Sequence, residues 1–156
     1  MIDDRRLRPP ERHEKALEAI TSSHPFDTKQ AAMMFAAGLG YYLRKREALG
    51  KGGEGVRWQV FERSQDAAFV YALGLDETKA IAVLSGEKEE ELVAIFEEYV
   101  AAGLQYIQEN FLDRPGDTLD NILLMLADAR RSDMGAVPGL EGLSTADLSL
   151  LGGLGS

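Results

Sequence analysis

Ala31-Ala-Met-Met-Phe-Ala-Ala-Gly-Leu-Gly-Tyr-Tyr-Leu43 runs for thirteen residues without a charge or a proline. Its apolar side chains fall nearly all round a helical wheel, which marks a helix buried at the centre of a bundle rather than an amphipathic surface helix. It is too short to cross a bilayer, which takes about 20 residues. Ala32, Ala36 and Gly40 recur every four residues, so one stripe carries only small side chains and a second helix can approach closely along it. Asp27 or Thr28 can cap the start. The helix is expected over Lys29 to about Ala48, turning basic at Arg44-Lys45-Arg46, where cations suit the negative end of the helix dipole.

Upstream, Pro9-Pro10 closes an extended arm over residues 1–10, and Glu11 to Ile20 reads as a short helix with Ala16, Leu17 and Ile20 on one side. Thr21 to Pro25 is turn chemistry. Downstream, Gly50-Lys-Gly-Gly-Glu-Gly55 reads as a flexible connector. Val56 to Phe61 alternates imperfectly and reads either as a short strand or as an extended or short helical segment. As a strand it lacks an evident partner in the chain, and it would pair across a dimer or lie on the helices. Ser64 is expected to cap a helix through Ala67, Phe69, Val70 and Leu73, and Glu77 to Leu84 reads as another short helix. Glu87 to about Leu112 is a long amphipathic helix with Leu92, Ile95, Phe96, Tyr99, Gly103, Tyr106, Ile107 and Phe111 on its core stripe. Asp117 or Thr118 caps a last helix with Leu119, Ile122, Leu123, Leu126 and Ala129 inward. The fold predicted is mainly α, a compact helical bundle of five or six helices with at most one short β element. A single helical domain is expected over residues 1–133, followed by a flexible Gly-rich tail over 134–156, in which Leu143, Leu148 and Leu151 could dock on a partner.

The 156 residues carry 17 Lys and Arg against 26 Asp and Glu, a net charge of −9. Cysteine is absent, so disulfides, thiolate metal sites and a cysteine nucleophile are excluded. No apolar segment suited to a secretory signal follows the N-terminus, and a cytoplasmic, membrane-free protein is expected. The charge is polarised. Residues 1–63 hold 12 basic and 9 acidic side chains, and residues 64–156 hold 5 and 17. Arg5, Arg6, Arg8 and Arg12 form one basic cluster. Arg44, Lys45, Arg46, Lys51, Arg57 and Arg63 form another, of which Arg44, Lys45, Arg46, Lys51 and Arg57 are the candidates for contact with nucleic acid or a partner. Interleaved glutamates make a solvated mixed-charge surface the plainer reading.

Other motifs carry less. Gly50, Gly52 and Gly55 spell G-x-G-x-x-G, but a helix precedes them where a dinucleotide site needs a strand. Glu87 with Glu90, and Asp117 with Asp120, each set two carboxylates one helical turn apart, as in all-α magnesium-dependent nucleotide hydrolases; first-turn acids are also common for dipole reasons. His13 and His24 read as surface histidines without an orienting partner. Trp58, Phe61, Tyr41 and Tyr42 lie near the basic cluster and could stack bases, though aromatics at such spacings are more often core. No catalytic, cofactor-binding or metal-ligating residue is assigned, and no cofactor is expected.

Three segments, Lys29-Gln-Ala-Ala-Met-Met-Phe-Ala-Ala-Gly-Leu-Gly-Tyr41, Val60-Phe-Glu-Arg63 and Ile95-Phe-Glu-Glu-Tyr-Val-Ala-Ala-Gly-Leu-Gln-Tyr-Ile107, in that order and spacing resemble the DNA phosphorothioation-associated protein 4 family over about residues 3–130. The shared motifs are hydrophobic and structural. The resemblance implies a bacterial accessory protein, accompanying enzymes that replace a backbone phosphate oxygen of DNA with sulfur and the linked restriction proteins that attack unmarked phage DNA. The leading expectation, which fits the lack of a catalytic constellation, the polarised charge and the Gly-rich tail, is an adaptor without enzymatic activity whose partners are proteins of that modification and restriction complex. Direct DNA contact through residues 44–57 is a second expectation, a magnesium-dependent hydrolase a third, and a homo-oligomer is compatible with each.

Overall fold

The computed structural model describes residues 4–22 and 25–134. The chain divides into two compact units, the first ending at Leu119 and the second beginning at Asp120. The elements in order are β1 (Arg6–Leu7), α1 (Glu14–Ser22), α2 (Lys29–Tyr42), β2 (Val56–Arg57), α3 (Trp58–Arg63), α4 (Ala67–Thr78), α5 (Glu89–Ile107) and α6 (Thr118–Met134). Short 3₁₀ turns precede α1 and α5, another spans Ile81–Leu84, and a π-helical turn, Gln108–Leu112, extends α5. The fold is mainly α with one two-stranded ribbon. Among the described residues no helix is long and apolar enough to cross a membrane.

The first unit is built around α2 packed on α5, with α4 also packed against α5. The small-residue stripe explains the closeness of the first pair. Ala32, Ala36 and Gly40 are buried on α2 and Gly103 is buried on α5. A Cβ on Gly40 would sit 3.3 Å from the Gly103 backbone nitrogen, and a Cβ on Gly103 would run into the backbone of Ala36. The two backbones therefore touch, which only small residues permit. Thr28 caps α2, its Oγ1 accepting from the Ala31 N–H at 3.1 Å. The core stripe of α5 is buried as expected at Leu92, Ile95, Phe96, Tyr99, Gly103 and Ile107, and Phe111 is buried in the π turn.

Several boundaries differ from the sequence expectation. The helix α2 stops at Tyr42, because Arg44 takes a left-handed conformation with φ 54° that turns the chain back. The basic triplet thus lies beyond the helix. Of Val56 to Phe61, only Val56–Arg57 is strand; Trp58 starts a helix, since Trp58 and Phe61 reach the core only at helical spacing. The strand has its partner in the chain itself. Arg6 pairs with Arg57 and Leu7 with Val56, antiparallel. Further along, Pro10 bridges Gly52, so three residues on one side face two on the other, a β-bulge within the glycine-rich segment. That segment is an ordered second rail of the ribbon: the Gly53 N–H donates to the Pro9 carbonyl at 2.7 Å and the Glu11 N–H to that of Lys51 at 2.9 Å.

Ser64 ends α3 instead of capping α4, its hydroxyl bonding the Val60 carbonyl at 3.0 Å. The helix α4 continues through Gly74 to Thr78, and Lys79 closes it at φ 53°. The segment read as a helix from Glu77 is therefore the end of α4 and a 3₁₀ turn, in which Val83 is buried and Ile81 is 80% exposed. In α6 the Asp117 carboxylate caps the Leu119 N–H at 2.8 Å. Its expected inward row is not formed: Ile122 is buried, whereas Leu119, Leu123 and Leu126 are exposed. The proposed tail residues Leu143, Leu148 and Leu151 lie outside the described residues.

Candidate functional site

The turn after α2 brings its basic residues back over the bundle, where carboxylates from the acidic half of the chain meet them. Arg44 stacks on the Tyr41 ring, 4.2 Å from its centroid, and reaches Asp76 Oδ2 at 3.3 Å. Asp76 also receives Lys79 Nζ at 2.5 Å and the Tyr41 hydroxyl at 2.8 Å. The Lys79 bond foremost, with those of Tyr41 and Arg44, holds its carboxyl down to about 2. Arg46 presents its fork to Glu98, with Nε at 2.7 Å and Nη2 at 2.6 Å, and its Nη1 lies 2.7 Å from Glu77. Glu77 accepts in addition from the Tyr99 hydroxyl at 2.5 Å; burial, then this bond, pushes the phenol up to about 12. Lys51 Nζ meets Glu11 at 2.8 Å.

Three of the five candidate cations, Arg44, Arg46 and Lys51, are therefore engaged within the molecule, each by different carboxylates. Lys45 and Arg57 are exposed and have no carboxylate partner among the described residues. The five do not form one patch of unpaired charge. The signal that could have foretold this lay in the charge polarity of the sequence: Asp76, Glu77, Glu90 and Glu98 all come from the acidic half and face arginines of the basic half. An ion pair removes most of a residue's far field, so positive potential survives where cations lack such partners.

The other motifs resolve structurally. Trp58 and Phe61 are buried, at 1% and 0% exposure, and cannot stack bases. Trp58 Nε1 donates to Glu62 at 2.8 Å, and its ring meets Tyr71 edge-on at 5.5 Å. Tyr41 belongs to the Asp76 cluster, and Tyr42 is exposed. His13, expected on the surface, is buried. Burial holds its imidazole below the usual value against the pull of Glu47, whose carboxylate lies 3.9 Å from Nε2. His24 lies outside the described residues. Among the described residues no group of three or more His, Asp or Glu side chains converges so as to hold a metal ion. Glu90 is turned to solvent and meets Arg5 at 3.4 Å.

One apolar surface stands out. Leu119, Leu123 and Leu126, spaced as one face of α6, are 41%, 53% and 47% exposed. Three leucines at i, i+4 and i+7 form the kind of ridge that lies in a partner's groove. Buried Glu97 is a second feature that the sequence did not single out. It looks like one more acid on an acid-rich helix, yet it is 7% exposed and accepts the Arg8 backbone N–H at 2.7 Å.

No curated protein and no solved structure matches this chain. A family model described as DNA sulphur modification system-associated protein 4 matches residues 6–138. That span contains every helix and strand described above. With the matched span running from β1 through α6, the chain belongs to the DNA sulphur modification system-associated protein 4 family.

Proposed function

We propose that the protein is a non-enzymatic adaptor, a cytoplasmic accessory component that holds together proteins of a bacterial DNA phosphorothioation and restriction system directed against phage. Family membership supports the association with a DNA sulphur modification system. The observation that carries the adaptor role is the leucine ridge of α6, where Leu119, Leu123 and Leu126 stand exposed on one face. Leucines already about half covered gain roughly half the value of full burial, about 0.7–1.5 kcal/mol each, when a partner buries the remainder. The paired charges support the same reading, since they leave Arg44, Arg46 and Lys51 electrostatically satisfied.

The test is co-purification of the tagged protein from its host with nuclease present. Modification or restriction proteins are expected with the wild type, and they are expected to be lost with Leu123→Glu plus Leu126→Glu while the circular dichroism stays helical. Truncation after Asp133 measures what Leu143, Leu148 and Leu151 add. Recovery of DNA alone, or a partner that survives both leucine substitutions, overturns the reading.

A further inference from the structure

The N-terminal ribbon has an electrostatic cost that its own fold offsets only in part. Arg6 and Arg57 stand directly opposite each other across the β1–β2 pair, and cross-strand partners project to the same face. Like charges in that position destabilise a ribbon. Arg8 stands two residues from Arg6, and its stem is bedded on glycines. A Cβ on Gly52 would lie 2.9 Å from Arg8 Cδ, and one on Gly55 would lie 3.0 Å from Arg8 Cγ and 2.7 Å from Arg6 Cβ. The absent side chains at 52 and 55 thus make room for two arginine stems side by side. All three arginines are exposed, and among the described residues none has a carboxylate within ion-pair distance; only Arg8 feels the more distant charge of Glu97. Arg6 Nη1 donates to the Gly55 carbonyl at 2.9 Å, which orients the guanidinium without neutralising it. Glu97, the nearest buried acid, takes the backbone N–H of Arg8, not its guanidinium. This is the reverse of Arg44, Arg46 and Lys51, which all meet carboxylates.

We propose that Arg6, Arg8 and Arg57, bedded on Gly52 and Gly55, form a docking surface for the phosphodiester backbone of duplex DNA. Arginine's planar fork matches phosphate oxygens in a bidentate geometry. The surface offers no base-stacking platform, because Trp58, next to Arg57, is turned into the core. Single strands are held largely by such stacking, so a duplex gripped by its backbone without sequence preference is the fitting ligand. A chain with a net charge of −9 repels acidic partners at long range. Duplex DNA offsets that repulsion by releasing condensed counterions, which a sparsely charged acidic polypeptide cannot do. The inference does not depend on the adaptor reading, which rests on α6.

The test is fluorescence anisotropy of a short labelled duplex titrated with the full chain, from low to physiological salt. Three phosphate contacts give a slope of log affinity against log salt of about −2.7. Arg8→Gln with Arg57→Gln is expected to reduce that slope to about −0.9 and to weaken binding at low salt by roughly tenfold or more. Arg57→Gln alone relieves the clash with Arg6, so its melting temperature is expected to hold or rise while its slope falls by about 0.9. Loss of binding in that variant is therefore not loss of fold. Arg44→Gln, whose charge is already paired, is expected to bind as the wild type does. The proposal is overturned if no binding occurs at low salt, or if both substituted forms bind like the wild type. It is equally overturned if Arg44→Gln weakens binding as much as Arg57→Gln, or if polyglutamate of matched charge displaces the duplex at equal concentration.

Discussion

Glu97 sits on α5 with its carboxylate buried against the N-terminal arm. Burial raises its pKa above the ordinary value of 4.5, and the Arg8 N–H and the charges of Arg8 and Arg5 offset only part of that cost. A carboxyl with a raised folded pKa stabilises the protein fully below its unfolded value and loses that contribution as pH rises through the folded value. At neutral pH the buried carboxyl therefore burdens the fold relative to a neutral group in its place. Glutamine keeps the oxygen that accepts from Arg8 and removes the charge. Glu97→Gln is expected to raise the melting temperature at pH 7, with the gain shrinking towards zero at about pH 4, near the ordinary glutamate value. Thermal denaturation at the two pH values checks this, and a gain of the same size at both would mean that charge is not the cause.

The pairing of α2 with α5 depends on backbone contact at Gly40 and Gly103. A methyl on Gly103 would collide with the Ala36 carbonyl, which is main chain and cannot swing aside. Gly103→Ala is expected to cost about 3 kcal/mol, the upper end for overpacked cores, because the two helices must separate along their contact. Urea denaturation measures this, and a cost under about 1 kcal/mol would mean that the helices slide apart freely. This contact was legible in the sequence, because Ala32, Ala36 and Gly40 repeat at the helical period and α5 shows a long core stripe. The β1–β2 ribbon was not legible. Its strands are two residues each, and its partners lie some fifty positions apart, so no local pattern announces the pairing. The row on α6 misled for a related reason: 3.6-residue periodicity reports a coherent apolar face, not whether that face is covered. The candidate site was half legible. The basic residues were visible, but pairing with Asp76, Glu77 and Glu98 is a tertiary fact, and it is what separates Arg57 from Arg44.

For the molecule as a whole, the arm serves as a structural part rather than an appendage. Leu7 is fully buried, and the Trp58 N–H donates to the Arg5 carbonyl at 2.9 Å. Leu7→Ala is expected to destabilise the protein by about 2–5 kcal/mol, as buried leucine truncations do. A loose arm would lose almost nothing, and the shift in the urea midpoint distinguishes the two. The polarised charge also acts at this scale, since the basic half is held against the acidic half by Arg5, Arg44 and Arg46.

The ribbon has a consequence for synthesis on the ribosome. Residues 5–8 are made long before the groups that hold them: Gly52 to Trp58 for the ribbon, and Glu97 for the Arg8 N–H. At about 5–20 residues per second, Glu97 follows Arg8 by roughly 5–20 seconds. Throughout that interval the arginines of the arm stand without their seat, and the ribbon takes its final form only after most of the first unit has been translated.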